Sequence, residues 1–217
     1  MTLERVITLN NQVVSLLDCG QFHEAAHLVS TAMELFQQVT IPKNKEAPGK
    51  LPNTSSIDQC MTARGNHSSE EAADTDIGVF TYQYGITIPL AMVEDPTRIP
   101  PILIFNSGLS HQFLAFATPE SSLRQHLLEK AIKLYKLAYT IEQHGEYNNN
   151  NIFKMAALNN LGVICMVLGE KEEAQRCFDY LVSMMMQLVQ CGACSQMMNH
   201  LNGVWANLMI NNVAPAA

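Results

Sequence analysis

Apolar residues at 22, 25, 26, 29, 32, 33 and 36 follow the three-four alternation that keeps one face of an α-helix buried. A companion run over 3–17, set off by Gly20, predicts a first antiparallel helix pair within 1–40. Farther on, Pro100 and Pro101 open a helix that reaches about Phe116, since proline is tolerated in a first turn. Thr118-Pro119-Glu120 then starts another, whose face carries Leu127, Leu128, Ala131, Leu134, Tyr135, Ala138 and Ile141. These make a second pair over 99–143, with an insertion. After a polar loop from His144 to Asn151, a third pair fills 150–192, with helices over 152–168 and 171–190. Met197, Met198, Leu201, Val204, Trp205 and Leu208 predict a capping C-terminal helix over 195–211.

Two stretches break the helical period. Residues 41–76 hold no aromatic residue, have prolines at 42, 48 and 52, and are rich in small polar side chains. Such a stretch cannot offset the entropy lost on ordering, so it predicts a flexible linker or loop. Within 77–90 the period becomes two: Phe80, Tyr82, Tyr84, Ile86 and Ile88 alternate with Thr81, Gln83, Gly85 and Thr87. This predicts a short strand. A lone strand needs partners for its backbone groups, so it either folds into a hairpin at Tyr84-Gly85 or lies extended along the helices.

One phrase occurs twice. Leu9-Asn10-Asn11 is followed by Gly20 and Glu24-Ala25, and Leu158-Asn159-Asn160 is followed at the same offsets by Gly169 and Glu173-Ala174. A register held without a gap marks one supersecondary unit used more than once. With Leu158, Leu161, Gly162, Leu168, Gly169, Ala174, Phe178 and Leu181 in place, the chain resembles the tetratricopeptide repeat family. The first pair keeps Gly20, Ala25, Val29 and Ala32 but has Gln12-Val13 where Leu-Gly stands in the family. The middle pair keeps Ile104, Asn106, Gly108, Ala131, Tyr135 and Ala138 with about eleven extra residues between its helices. The equivalent points Asn11, Asn106 and Asn160 lie 95 and 54 residues apart, against a family period of 34. The resemblance implies a mainly α, tetratricopeptide-like stack of antiparallel helix pairs, forming one domain.

Composition narrows the function. The chain has 217 residues, a net charge of −7 and only 13 Lys and Arg, too few for a phosphate-binding surface, so neither nucleic acid nor an anionic membrane is expected as partner. The first residues lack the basic-then-apolar order of a signal peptide. The uncharged stretch beyond Asp179 is interrupted by Gln187, Gln190, Gln196, Asn199, His200, Asn202 and Asn207, so it does not read as a membrane span. Six cysteines without a secretory signal point to reduced thiols in the cytoplasm or nucleus.

Among chemistry-bearing residues, Asn11, Asn106 and Asn160 recur at one repeat position. The family resemblance puts that side of each first helix in the concave groove. There an amide offers both donor and acceptor to an extended peptide backbone. The plainer alternative is that each amide bonds neighbouring helix backbone. The groove version that clamps a C-terminal carboxylate uses Lys and Arg, and Lys154 lies too early in its helix to serve. Cys191-Gly192-Ala193-Cys194 has redox or metal spacing, with His200 nearby in sequence and Cys165 and Cys177 as further ligands to test; two buried thiols at a helix turn are the simpler account. Met184, Met185 and Met186 with Met197 and Met198 read as core filling rather than a copper site. Lys130, Lys133 and Lys136 form a solvated face. His23 and His27 share a helix face, but no acidic or thiol partner stands at matching spacing. No catalytic constellation and no cofactor motif is present.

The expectation is therefore a non-enzymatic scaffold that binds a protein or peptide partner through a helical-repeat groove. Two alternatives are a thiol-redox or metal-responsive protein using Cys191 and Cys194, and a self-associating structural module.

Overall fold

The computed structural model describes residues 2–40, 81–144 and 151–190. The described chain is mainly helical, with α1 (Leu3–Asp18), α2 (Phe22–Thr40), α3 (Ile99–Ala117), α4 (Ser121–His144), α5 (Asn151–Val167) and α6 (Lys171–Gln190). Short 3-10 turns at Leu90–Glu94 and Pro96–Arg98 lead into α3. In chain order, each helix packs against the one before it. The sequence-predicted segments 41–76 and 195–211, and the Cys191–Cys194 motif, lie outside the described residues.

The repeated phrase folds into the same turn both times. Gly20 has φ +73 and Gly169 φ +79, a left-handed conformation that glycine adopts without steric cost. In the first turn the Gly20 N–H donates to the Leu17 carbonyl and Gln21 N–H to Leu16. In the second, Gly169 N–H donates to Met166 and Glu170 N–H to Cys165, the same pattern at the same offsets. This is the Schellman closure, which satisfies carbonyls that a helix end otherwise leaves unpaired. The next helix enters alike, with Ala25 N–H on the Gln21 carbonyl and Ala174 N–H on Glu170.

The middle pair corrects one expectation. Its eleven additional residues do not form an insertion between helices, because only Thr118, Pro119 and Glu120 separate α3 from α4. They lengthen the helices instead. Past its asparagine, α3 runs four residues farther than α5, and ahead of its aromatic residue, α4 begins seven residues earlier than α6. Four and seven residues are close to one and two whole turns, so the added length leaves each buried face in register.

Sequence also explains which helices sit centrally. Helix α3 contains no charged residue and α5 only Lys154, and both are buried almost all round, from Pro101 to Gln112 and from Phe153 to Cys165. Helices α1, α2 and α6 bury a single stripe each, as amphipathic outer helices do. One apolar cluster joins α1 to α4 with Phe153, Ala156, Ala157 and Ile164 of α5. The opposite face of α5, through Met155, Val163 and Cys165, packs with Phe178, Leu181 and Met185 of α6 in a second cluster.

Close helix approach depends on matched sizes. A Cβ on Gly162 would lie 2.8 Å from the Phe178 ring, and one on Gly108 would lie 3.0 Å from the Tyr135 ring. Each glycine therefore makes room for an aromatic residue of the next helix. In the first pair the equivalent positions are Val13 and Val29, both fully buried, so two medium side chains replace the small-and-large couple.

No strand occurs among the described residues, which corrects the expectation of a strand or hairpin over 77–90 for its part 81–90; residues 77–80 lie outside them. Residues 81–89 are extended, yet they pair with side chains rather than with another backbone. Nor is there a reversal at Tyr84-Gly85. The segment continues past Gly85, with Tyr82 at α5, Ile86 at α3 and Ile88 at α1.

Candidate functional site

Three asparagines, one from the first helix of each pair, grip this extended segment. At α5, Asn160 Oδ1 accepts from the Tyr82 N–H at 2.7 Å while its Nδ2 donates to the Tyr82 carbonyl at 3.0 Å. At α3, Asn106 Oδ1 accepts from the Ile86 N–H and its Nδ2 donates to the Ile86 carbonyl, both at 2.8 Å. At α1, Asn11 Oδ1 accepts from the Ile88 N–H at 2.8 Å and its Nδ2 donates to the Ile88 carbonyl at 3.1 Å. Each amide thus presents one donor and one acceptor to a single residue, as a neighbouring strand would.

The geometry follows from two periods. In an extended chain the N–H and C=O of residues i, i+2 and i+4 face one edge, so Tyr82, Ile86 and Ile88 present their polar groups together. Six residues of such chain span about 20 Å, enough to cross helices set about 8–10 Å apart. The partners are buried: Asn106 and Asn160 are 0% exposed, and Ile88 is fully covered. A buried backbone group left unpaired costs about 1–3 kcal/mol, so a bulky apolar replacement at Asn106 or Asn160 takes away partners that water does not readily replace.

Further polar residues complete the network. Asn10 Nδ2 donates to the Ile86 carbonyl at 2.9 Å, and Asn10 Oδ1 accepts from Asn106 Nδ2 at 2.8 Å. Within each repeated Asn-Asn pair, the first amide donates to the second, Asn10 to Asn11 at 3.3 Å and Asn159 to Asn160 at 3.2 Å. Tyr135 enters from α4: its hydroxyl accepts from Asn160 Nδ2 at 3.1 Å and donates to Gln112 Oε1 at 2.8 Å. Burial raises the Tyr135 phenol well above its ordinary range, with the Asn160 bond pulling the other way, so the hydroxyl keeps the proton it donates. Tyr82 is also raised, by burial first and then by Tyr84.

Asn11, Asn106 and Asn160 are therefore brought onto one ligand, although they lie far apart in sequence. That ligand is the chain's own period-two segment. Asn10, Tyr135 and Gln112 were missed as site residues by sequence reasoning. The Leu-Asn-Asn phrase carried a signal for Asn10, whereas Tyr135 was hidden in an apolar helix face.

The other candidates separate. His23 and His27 are exposed on α2, and no cluster of His, Cys, Asp or Glu suited to a metal occurs among the described residues. Cys165 and Cys177 are buried between α5 and α6; burial raises both thiols, Cys177 to about 12, with Glu173 adding to the effect there. Thiols held protonated in this way are poor nucleophiles and poor metal ligands. Met185 is buried while Met186 is 52% exposed, so the three consecutive methionines do not converge. Lys130 and Lys133 are exposed, and Lys136 is half-buried, 3.7 Å from Glu173 Oε1. Lys154 is 7% exposed near Glu142, whose carboxyl is raised by burial against the opposing pull of Lys154 and Arg98.

Beside the extended segment, Leu17, Asp18, Phe22 and Phe113 line an open hollow whose far wall is Gln83 and Tyr84. The rings of Phe22 and Phe113 meet there with centroids 5.0 Å apart. No helix among the described residues is long and apolar enough to cross a membrane. No family model, no curated protein and no solved structure matches this chain.

Proposed function

We propose that this protein is a non-enzymatic scaffold of tetratricopeptide-like stacked helix pairs that captures an extended peptide of a protein partner in the groove of its first helices. The single observation behind this reading is the bidentate hold of Asn11, Asn106 and Asn160 on the backbone of one extended segment. Side-chain amides that hold a segment by its backbone N–H and C=O recognise extension rather than sequence, which is the chemistry of strand-like peptide capture. The duplicated glycine turn and the glycine-aromatic couples support the repeat architecture. The resident segment 81–89 acts as an intramolecular ligand, and a partner reaches the amides by taking its place.

Probing the full chain against an array of β-prone decapeptides, both uncharged and cationic, tests the reading. Binding to a subset, competed by a peptide of residues 81–90 and lost in an Asn160→Leu chain that remains helical, is the expected result. Failure of every peptide to bind, or binding indifferent to the 81–90 competitor, contradicts it.

A further inference from the structure

Resting on the groove reading above, we infer that the partner's segment follows the resident pattern, aromatic-x-x-glycine-aliphatic-x-aliphatic, and carries arginine where this chain has Gln83. Backbone bonding sets no sequence, so selection falls to the side-chain contacts. Gly85 is the narrowest point: a Cβ there would lie 3.0 Å from Val14 Cγ2, 3.2 Å from Leu17 Cδ1 and 3.3 Å from the Val14 Cα. Its φ is not in the left-handed region, so what opposes a side chain here is the close approach to α1, whose Val14 and Leu17 would have to give way by a few tenths of an ångström, and not a turn. Three residues earlier, Tyr82 is 6% exposed against Phe105, and three residues later Ile88 is fully buried.

The resident segment leaves the adjoining hollow poorly used. Tyr84, on its wall, is 59% exposed, and Gln83 is exposed as well. Leu17, Asp18, Phe22 and Phe113 form the rest of the lining, with Asp18 its one charged member. An arginine entering from position 83 would lay its aliphatic stem and guanidinium over Phe22 and Phe113 and carry its charge to Asp18. A chain of net charge −7 also favours a cationic arrival. Such a partner gains contacts that the resident segment lacks. It needs them, because a tethered competitor acts at an effective concentration on the order of millimolar.

The test compares three labelled peptides of residues 81–90: the native sequence, Gln83→Arg and Gly85→Val. Each is titrated by fluorescence anisotropy against the full chain and against a Gly85→Ala chain, in which the resident segment fits less well. The arginine peptide should bind about tenfold tighter than the native one, from a cation–π contact plus one exposed ion pair. An Asp18→Asn chain should lose part of that gain. The valine peptide should not bind. Both binding peptides should bind the Gly85→Ala chain more tightly than the unsubstituted chain. Equal binding of the native and arginine peptides overturns the arginine rule while leaving the groove reading in place; no binding of any peptide to either chain overturns both. Should the Gly85→Ala chain not fold, amide exchange in the unsubstituted chain decides: saturating arginine peptide should release the Ile86 and Ile88 amides from protection, and unchanged protection refutes displacement.

Discussion

The first and last helix pairs reach the same turn by the same residues, yet they fill the space between their helices differently. Gly20 and Gly169 share one left-handed turn and one set of backbone bonds. Behind that turn, Val13 meets Val29 in one pair where Gly162 meets Phe178 in the other. The contrast teaches that the turn is fixed by backbone need and tolerates little change, while the interface needs only a fitting total of side-chain volume.

Breaking the size match should have the largest effect. Gly162→Val places carbon atoms inside the Phe178 ring's space and should destabilise by about 3 kcal/mol or more, seen as a lowered midpoint in urea. Pairing it with Phe178→Val, which copies the first pair, should recover a good part of that loss. An unrecovered double variant would show that the two pairs are not alternative solutions to one geometry.

The amides extend the comparison to the first and middle pairs, where each holds the extended segment. Asn106→Leu, at a fully buried side chain, removes the acceptor for the Ile86 N–H and the donor to Asn10 Oδ1, and should cost about 2–4 kcal/mol. Asn11→Ala, at a half-buried side chain, should cost about 1 kcal/mol because the smaller side chain opens a path for water to the Ile88 groups it leaves. Equal losses in denaturant titrations would remove burial as the deciding factor.

A change smaller than that at Asn106 is expected for Tyr135→Phe. It strips a donor from Gln112 and an acceptor from Asn160 while keeping the ring against Gly108. A loss of about 1–2 kcal/mol is expected, and a double variant with Asn160→Ala should be less than additive because the two share one bond.

The smallest effect concerns pH. His111 is buried with Nδ1 donating to the Ser107 carbonyl, and its pKa is lowered below 6.5 by burial first, with Lys130 and His126 adding to the shift against the Ser107 bond. A lowered folded value means the neutral form is preferred in the native state. The contribution is therefore complete above pH 6.5 and is lost as pH falls below it toward the folded value. The slope should not exceed about 1.4 kcal/mol per pH unit, and it should flatten in His111→Gln.

Much of this architecture was legible in the sequence, for definite reasons. Helix positions follow from the three-four spacing, and both Schellman turns follow from glycines placed after a helical run. The period-two residues correctly announced an extended segment, but their partners were not readable, because side-chain amides from three helices replace the neighbouring strand that the pattern implies. The asparagine rail and the extended segment were each visible alone. Their union requires contacts 20, 77 and 78 residues apart, which no local pattern encodes. The middle pair misled because a count of residues between landmarks does not distinguish a loop from added whole turns.

Residue-resolved hydrogen exchange across 81–89 in the unsubstituted chain tests the central claim most directly. The amides of Tyr82, Ile86 and Ile88 should be strongly protected, with those of Gln83 and Thr87 exchanging much faster, in step with the asparagine contacts. Fast exchange at all five positions, or protection without alternation, would contradict the claim that Asn11, Asn106 and Asn160 hold the segment by its backbone.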